Sequence, residues 1–315
     1  SASTNELRTA SGPNFYYVGG TAVTPSGSDS TDTSVAGFTT LVCSSATGSI
    51  VIGSTGNVDI LVVAGGSSGG SNYGGGGGAG GLIYKSGHEL TANTYDWVRG
   101  AGGGANTSGA GNNGSDSTWT INGGATQFTA KGGGAGGQEA TVANSGGSGG
   151  GAGHNASVGS ETQTGQAGDS GTYGFGNDGG AGSSSPNYNP GGGGGAGSAG
   201  AASGSTSGNG GTGKDYSTIF GTSVGDSGWV ASGGGGGYSA DGSSGAGSAS
   251  AGGGTAGGTP AAGNSSAATA NTGGGSGGGA SSNGDSGAGG SGIILVRYAD
   301  GTFDTAGSDL TLQST

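Results

Sequence analysis

Blocks of glycine constrain this chain more than any other feature of its sequence. Residues 191–195 and 233–237 are uninterrupted glycine, and glycine accounts for 91 of the 315 residues. The usual share of glycine in proteins is about 7%, and glycine loses more conformational freedom on folding than any other residue. We therefore do not expect an ordinary globular domain, because any fold must order a backbone with few side chains.

The apolar content is too low for burial alone to hold a fold together. Hydrophobic residues make up 28% of the chain and aromatic residues 6%, a composition that by itself predicts disorder. The single cysteine, Cys43, excludes an intrachain disulfide and is predicted to be a buried thiol. The chain begins at Ser1 and contains no methionine, which favours a processed or internal start and an exported or virion-assembled form.

The charge and the hydropathy of the chain argue against binding to nucleic acid and against insertion into a membrane. There are 6 Lys+Arg against 18 Asp+Glu, for a net charge of -12. Nucleic acid is therefore not expected as a partner, because phosphate binding needs clustered cations. The longest apolar runs, residues 60–64 and 293–296, are far shorter than the roughly 20 residues that span a bilayer, so no membrane insertion is expected.

Short apolar runs predict β-strands around the glycine blocks, and no helix is predicted. The runs are residues 38–43, 49–52, 58–64, 81–85, 95–99, 118–121, 126–131 and 293–298. Apart from Asp59, residues 58–64 are apolar on both faces, which indicates a strand covered on both sides. This strand leads directly into Gly65, and the last strand emerges directly from Gly292. We predict that these two strands lie adjacent or facing in one β-module.

The predicted fold is all-β, with a short-stranded β-module that closes a glycine-rich bundle of polyproline-II or polyglycine-II helices. Such a helix has three residues per turn and no internal hydrogen bonds, so its N–H and C=O groups can bond neighbouring helices. Only glycine allows the backbones to approach that closely. The expected domains are an extended arm at 1–36, a β-rich module at 37–131, the bundle at 132–292, and a closing strand with a polar tail at 293–315.

The cost of ordering this bundle predicts additional support. Ordering costs roughly 1–2 kcal/mol per residue, and a hydrogen bond contributes only about 0.5–1.5 kcal/mol net. We expect a homo-oligomer, other virion or filament subunits, or clamping by the strands to supply the deficit. Collagen is excluded, because five-glycine runs break the Gly-X-Y period and only 5 prolines are present.

No motif in the sequence predicts catalysis, a cofactor or a metal. Residues 207–215 approach a phosphate-binding loop around Lys214, but Asp215 stands where Ser or Thr is required. His88 and His154 are predicted to be surface residues, because neither has a metal-ligand spacing to other residues. We expect the protein not to be an enzyme.

Several motifs together carry a family resemblance. They are GFTTLV at 37–42, NVDILVVAGG at 57–66, GGGGGAGGLI at 74–83, YDWVRGAGG at 95–103 and GGSGIILVRY at 289–298. In order and spacing the chain resembles the glycine-rich domains of bacteriophage tail-fibre and virion proteins. The resemblance implies a polyglycine-II sandwich, and the distal adhesins of T-even-like phages imply tip loops that touch a host receptor. This chain departs from those adhesins in having its own β-module and arm, so a shaft, head fibre or capsid decoration also fits.

Aromatic residues flanked by glycine are the candidate contact residues. A ring in this setting is either packed at the end of the bundle or exposed to a partner such as a carbohydrate. Packing is favoured for each residue singly, and at least one contact surface is expected from the set. The possible receptor-contact residues are Tyr173, Phe175, Tyr188, Trp229 and Tyr238.

The predicted function is that of a non-enzymatic structural or adhesive protein on a virion or cell surface. The leading hypothesis is a phage fibre or adhesin subunit that contacts a host surface glycan or an outer-membrane protein. The alternative is an extracellular filament or capsid-decoration subunit with a purely structural role. An ice-binding bundle is a third class, but the long regular Thr or Ala face that it needs is not evident.

Overall fold

The structure, a computed structural model, describes residues 25–163, 173–240, 245–259, 263–281 and 283–303, and the backbone at 6–7 and 15–16. The strands are β1 Glu6–Leu7, β2 Phe15–Tyr16, β3 Ser30–Asp32, β4 Phe38–Cys43, β5 Thr47–Ile52, β6 Gly56–Val63, β7 Leu82–Leu90, β8 Asn93–Val98, β9 Ser117–Ile121, β10 Thr126–Ala130, β11 Gly174–Phe175, β12 Lys214–Asp215, β13 Trp229–Val230 and β14 Ile293–Ala299. In the described ranges the one α-helix is α1, Ser217–Phe220. The predicted all-β class is confirmed, and each predicted strand is present, with bounds that agree to within a few residues except that β7 continues to Leu90 where the prediction ended at 85. Helix α1 and the short strands β11, β12 and β13 were not predicted.

Two antiparallel sheets form the β-module. One has the order β11-β7-β6-β14-β4-β3 and the other the order β10-β9-β8-β5. Strand β14 lies between β6 and β4, and Leu295 faces Leu61 of β6 across the pair. This confirms the prediction that the two strands flanking the glycine region are adjacent.

The main hydrophobic core lies between the two sheets. The six-stranded sheet contributes Ile60 and Ile294, and the four-stranded sheet contributes Tyr95, Trp97 and Trp119, all of them buried. Burying a large apolar side chain stabilises the fold by about 1.5–3 kcal/mol, so this small core contributes substantially to stability. Cys43 is buried in the same core, as predicted.

The other face of the six-stranded sheet is covered by a segment inserted in the glycine region. Residues 214–231, which contain β12, α1 and β13, place Tyr216, Phe220 and Val230 against Leu61 and Leu295. Helix α1 is only one turn long, and its buried residue is Phe220. Strand β6 is therefore covered on both sides, which confirms the prediction from its sequence.

Hydrogen bonding in the glycine region repeats every three residues. In the helix at residues 74–81 the backbone amides donate to three neighbouring helices. The amides of residues 75, 78 and 81 bond the carbonyls of 137, 134 and 131, those of 76 and 79 bond the carbonyls of 191 and 194, and those of 77 and 80 bond the carbonyls of 276 and 273. The carbonyls of the same helix accept hydrogen bonds from three further helices. The carbonyls of residues 75 and 78 accept from the amides of 70 and 67, those of 76 and 79 from the amides of 151 and 148, and those of 74 and 77 from the amides of 237 and 234. This central helix is thus surrounded by six neighbours, the arrangement expected of packed polyglycine-II helices with three residues per turn.

The close approach of these backbones explains the glycine blocks. A Cβ added at Gly76 would lie 1.9 Å from the carbonyl oxygen of Gly234. Ala79 is tolerated in the same helix because its methyl group joins the apolar cluster beneath the six-stranded sheet. The bundle therefore needs glycine wherever a helix faces another backbone.

The chain enters and leaves the bundle repeatedly between strands. After β6 it runs away from the sheets through 65–70, turns at 71–73, and returns through 74–81 into β7. Residues 100–115, between β8 and β9, make a similar excursion. Helices of the bundle thus also occur between the strands of the predicted module at 37–131, and the division into four domains stays a prediction. Of the predicted arm, residues 30–32 form edge strand β3.

Candidate functional site

The end of the bundle away from the sheets is a surface made of turns. Several of its non-glycine residues adopt left-handed backbone conformations, among them Asn72, Tyr73, Asn155 and Tyr188 with φ between 40° and 55°. Such conformations are costly for bulky residues, so the packing of the bundle must hold these turns. We call this surface the distal tip.

An aromatic cluster occupies the distal tip. The ring of His154 packs edge-on against Tyr73, at 5.0 Å between centroids, and against Tyr188, at 5.1 Å. Its Nε2 atom lies 3.4 Å from a carboxylate oxygen of Glu139. His154 is only 5% exposed, and its Nδ1 atom has no hydrogen-bond partner. We refer to Tyr73, Glu139, His154 and Tyr188 as the tip cluster.

The buried position of both histidines corrects the sequence prediction. His154 lies at the centre of the tip cluster, and His88 is 6% exposed with its ring 4.9 Å from that of Phe128. The prediction of surface histidines was wrong for two reasons. The glycine helices bring His154 together with aromatic residues of distant turns, whereas His88 lies in β7 and packs against Phe128 of β10. The spacing of residues 73, 154 and 188 in the sequence does not predict that they meet.

Tyr238 lies at the same end of the bundle as Tyr188. The hydroxyl of its neighbour Ser239 donates to the carbonyl of Asn187 at 3.2 Å. The backbone of Tyr238 bonds Gly258 and Ser281, which belong to adjacent helices. Both tyrosine side chains are half-buried, so each combines a fixed position with partial exposure.

The other three predicted contact residues lie near the six-stranded sheet. Tyr173 is 39% exposed and Phe175 is in β11 at the edge of that sheet. The ring of Phe175 is covered by the Lys214 ammonium at 3.9 Å, and Trp229 pairs with Asp215 between β13 and β12. Residues 176–183 separate the two groups, a span of about 25 Å at 3.1 Å per residue. The predicted set therefore divides into a tip group and a sheet group.

The segment that resembles a phosphate-binding loop has a structural role here. Lys214 and Asp215 form β12, and Asp215 accepts a hydrogen bond from the amide of Ser217 at 2.8 Å. Across the described ranges, no three His, Cys, Asp or Glu side chains stand close enough together to hold a metal ion. The same ranges hold no helix with the length and hydropathy needed to cross a membrane.

The fold and its tip define a class of protein: an all-β glycine-rich module with a polyglycine-II bundle. The family model of the glycine-rich domain matches residues 39–299, which is most of the chain. The protein therefore belongs to the glycine-rich domain family. No curated protein matched the sequence.

Proposed function

We propose that this protein is a non-enzymatic adhesive surface protein, a phage fibre or adhesin subunit whose distal tip contacts a host surface. The observation that carries the proposal is the tip cluster, where half-buried tyrosines are held around a buried histidine. The virion setting is supported by the resemblance of the separate sequence motifs to phage tail-fibre domains. The proposed location is accordingly a virion or the outside of a cell.

Rigidity supports a binding role for the tip. Amides and carbonyls throughout the central helix are bonded to six neighbouring helices, so the turns at its end are held in place before a partner arrives. A surface ordered in advance loses less conformational entropy on binding. Tyrosine suits such a surface, because its ring offers apolar contact area and its hydroxyl a hydrogen bond.

The acidic charge of the chain favours a neutral partner at this tip. The net charge is -12, and Glu139 within the tip cluster adds a carboxylate that is about half exposed. Surface glycans offer hydroxyl groups for the polar turn residues and apolar ring faces for the tyrosines. We therefore propose a host surface glycan as the first partner to test, and an outer-membrane protein as the second.

A purely structural role in a filament or capsid is the second candidate. The outer face of the four-stranded sheet exposes Val51 and Val98, which are 50% and 45% accessible. A second copy of the chain, or another subunit, would bury these side chains in an assembly. This candidate predicts that changes at the tip leave all interactions of the protein unchanged.

Two measurements test the proposed function. Immunogold electron microscopy with an antibody against this chain should label purified virions. On an array of bacterial surface glycans, the Tyr188→Asn/Tyr238→Ala variant should lose binding, whereas Tyr173→Ala, an exposed aromatic change at the other end, should keep it. Asparagine is chosen at position 188 because it tolerates the left-handed backbone found there.

The outcomes separate the candidates. If virions are labelled and the tip variant keeps every interaction of the wild-type protein, the structural subunit is favoured. Unlabelled virions, together with no glycan binding by the wild-type protein, would refute the proposed adhesin. Equal thermal unfolding of the variants and the wild type is the control that the substitutions act at the surface.

A further inference from the structure

A cleft of about 510 Å³ opens where the β-module meets the glycine bundle. Its walls come from the chain just after β8, from the bundle turn at 268–271, and from the returning helix at 289–291. Small-molecule sites commonly enclose about 300–1,000 Å³, so the cleft is large enough for a ligand. It lies at the sheet end of the bundle, opposite the distal tip.

Arg99 lines this cleft without a protein partner for its charge. Among the described residues its guanidinium forms no ion pair and no hydrogen bond. The other described basic side chains all have partners: Arg297 pairs with Asp59, Lys131 with Asp116, Lys85 contacts Tyr173 and Lys214 contacts Phe175. Among the described Lys and Arg side chains, Arg99 is therefore the one whose charge is available to a ligand in the cleft.

The rest of the lining adds donors. The backbone amides of Ala101, Gly102, Ala270 and Ser291 have no acceptor within the part of the chain that the structure describes. Asn271 accepts from the Ser291 hydroxyl at 3.2 Å through Oδ1, which leaves its NH₂ group without an acceptor there. The same lining holds backbone carbonyls that accept no hydrogen bond in the described ranges, those of Gly102, Ala268, Ala270, Asn271 and Gly289. A ligand with both acceptors and hydroxyl donors complements such a wall.

The carboxylate of Asp29, which bonds one residue of the cleft wall, does not neutralise this arrangement. Asp29 accepts hydrogen bonds from the amides of Ser44 and Ser45, at 2.6 and 2.7 Å. Ser44 itself lines the cleft, but Asp29 forms no ion pair with Arg99. The guanidinium fork therefore stays available, and its geometry matches the two oxygens of an oxyanion.

We propose that the Arg99 cleft binds an oxyanion, carried as the carboxylate of an acidic saccharide. The volume of the cleft exceeds that of a free inorganic ion, and its hydroxyl and amide groups suit sugar hydroxyls. The cleft is a site separate from the distal tip, and it does not depend on the function proposed for that tip.

Amide NMR titrations of the full chain test this proposal. Sodium glucuronate should shift the amide signals of Ala101, Gly102 and Ala270 saturably, sodium sulfate more weakly, and glucose not at all. Arg99→Gln should weaken glucuronate binding by about tenfold or more, because a hydrogen-bonded charge is lost. Arg99→Lys should fall between the two, because lysine keeps the charge and loses the fork.

Lys131→Gln is the matched control, because Lys131 also follows a strand directly but is paired with Asp116. It should bind glucuronate as the wild type does. Tighter binding of sulfate than of glucuronate would overturn the saccharide and leave a free oxyanion as the ligand. Absence of saturable shifts with both anions, equal shifts with glucose, or undiminished binding by a folded Arg99→Gln or Arg99→Lys protein would overturn the site.

Discussion

Substituting Gly193 by alanine should disrupt the centre of the glycine bundle. A Cβ at this position would lie 2.0 Å from the carbonyl oxygen of Gly77, whereas ordinary van der Waals contacts begin at 3.4 Å. The helix at 189–195 would have to move away from the central helix by the difference, about 1.4 Å (3.4 − 2.0). Close-packed interiors have no free space for such a movement.

The size of the effect follows from the bonds between these two helices. The amides of Gly76 and Ala79 donate to Gly191 and Gly194 at 3.0 and 2.9 Å. A displacement of this size would lengthen both well beyond hydrogen-bond distance. Each unsatisfied buried polar group costs about 1–3 kcal/mol, so the two amides left without acceptors should by themselves lower the free energy of unfolding by roughly 2–6 kcal/mol. Valine, which is larger, should be worse.

Urea unfolding followed by tryptophan fluorescence measures this loss. Gly104→Ala is the control, because nothing lies within 4 Å of a Cβ there, and it should leave stability unchanged or raise it by about 0.4–1 kcal/mol. Hydrogen exchange should also show protected amides at 191–195 and 233–237 in the wild type. Equal stabilities of the two variants, or fast exchange throughout the wild-type bundle, would refute the packed-bundle reasoning.

Three further predictions concern the β-module and its surroundings. Ile294→Asp should lower the free energy of unfolding by several kcal/mol, because it places an unpaired charge at a fully buried position. Val51→Asp, on the exposed face of the four-stranded sheet, is the control and should not lower it. Equal urea midpoints of the two variants would contradict this prediction. Burial raises the pKa of Asp29, but hydrogen bonds from Ser45 and Ser44 outweigh it and hold the pKa below 3.8. The wild type should therefore be more stable than Asp29→Asn above pH 3.8 and should lose this advantage as the pH falls through the folded pKa, and a stability difference that is constant with pH would contradict the linkage. Lys214→Ala should remove only the contact with Phe175, costing about 0.5–1 kcal/mol in thermal unfolding, and it should leave glycan binding unchanged; a loss of binding would show a role for this lysine at the site.

Strand positions were accessible from the sequence because local hydrophobicity determines them. Residues 38–43 were predicted as a strand and form β4 with the same bounds. The apolar faces of residues 58–64 also predicted a strand covered on both sides, as β6 is. The direct junctions with Gly65 and Gly292 predicted that β6 and β14 meet.

Which segment of the chain covers each face of the sheets could not be predicted, because it depends on contacts between segments that are distant in sequence. Residues 214–231 fall within the predicted glycine-rich bundle, yet they cover one face of the six-stranded sheet with Phe220 and Val230. Phe220 belongs to a helix of one turn, which is too short for a periodic pattern to announce.

The candidate sites show the same division between sequence and tertiary structure. The sequence determined that the chain is all-β, that its glycine blocks can pack only as close backbones, and that aromatic residues stand among them. Only the tertiary structure decided that Tyr188 meets His154 at one end of the bundle while Phe175 lies at the other. The physical reason is that hydrogen bonds between polyglycine-II helices join backbones, which are the same at every residue. The order in which the helices pack is therefore set by the strands and turns at their ends, and no local pattern records it.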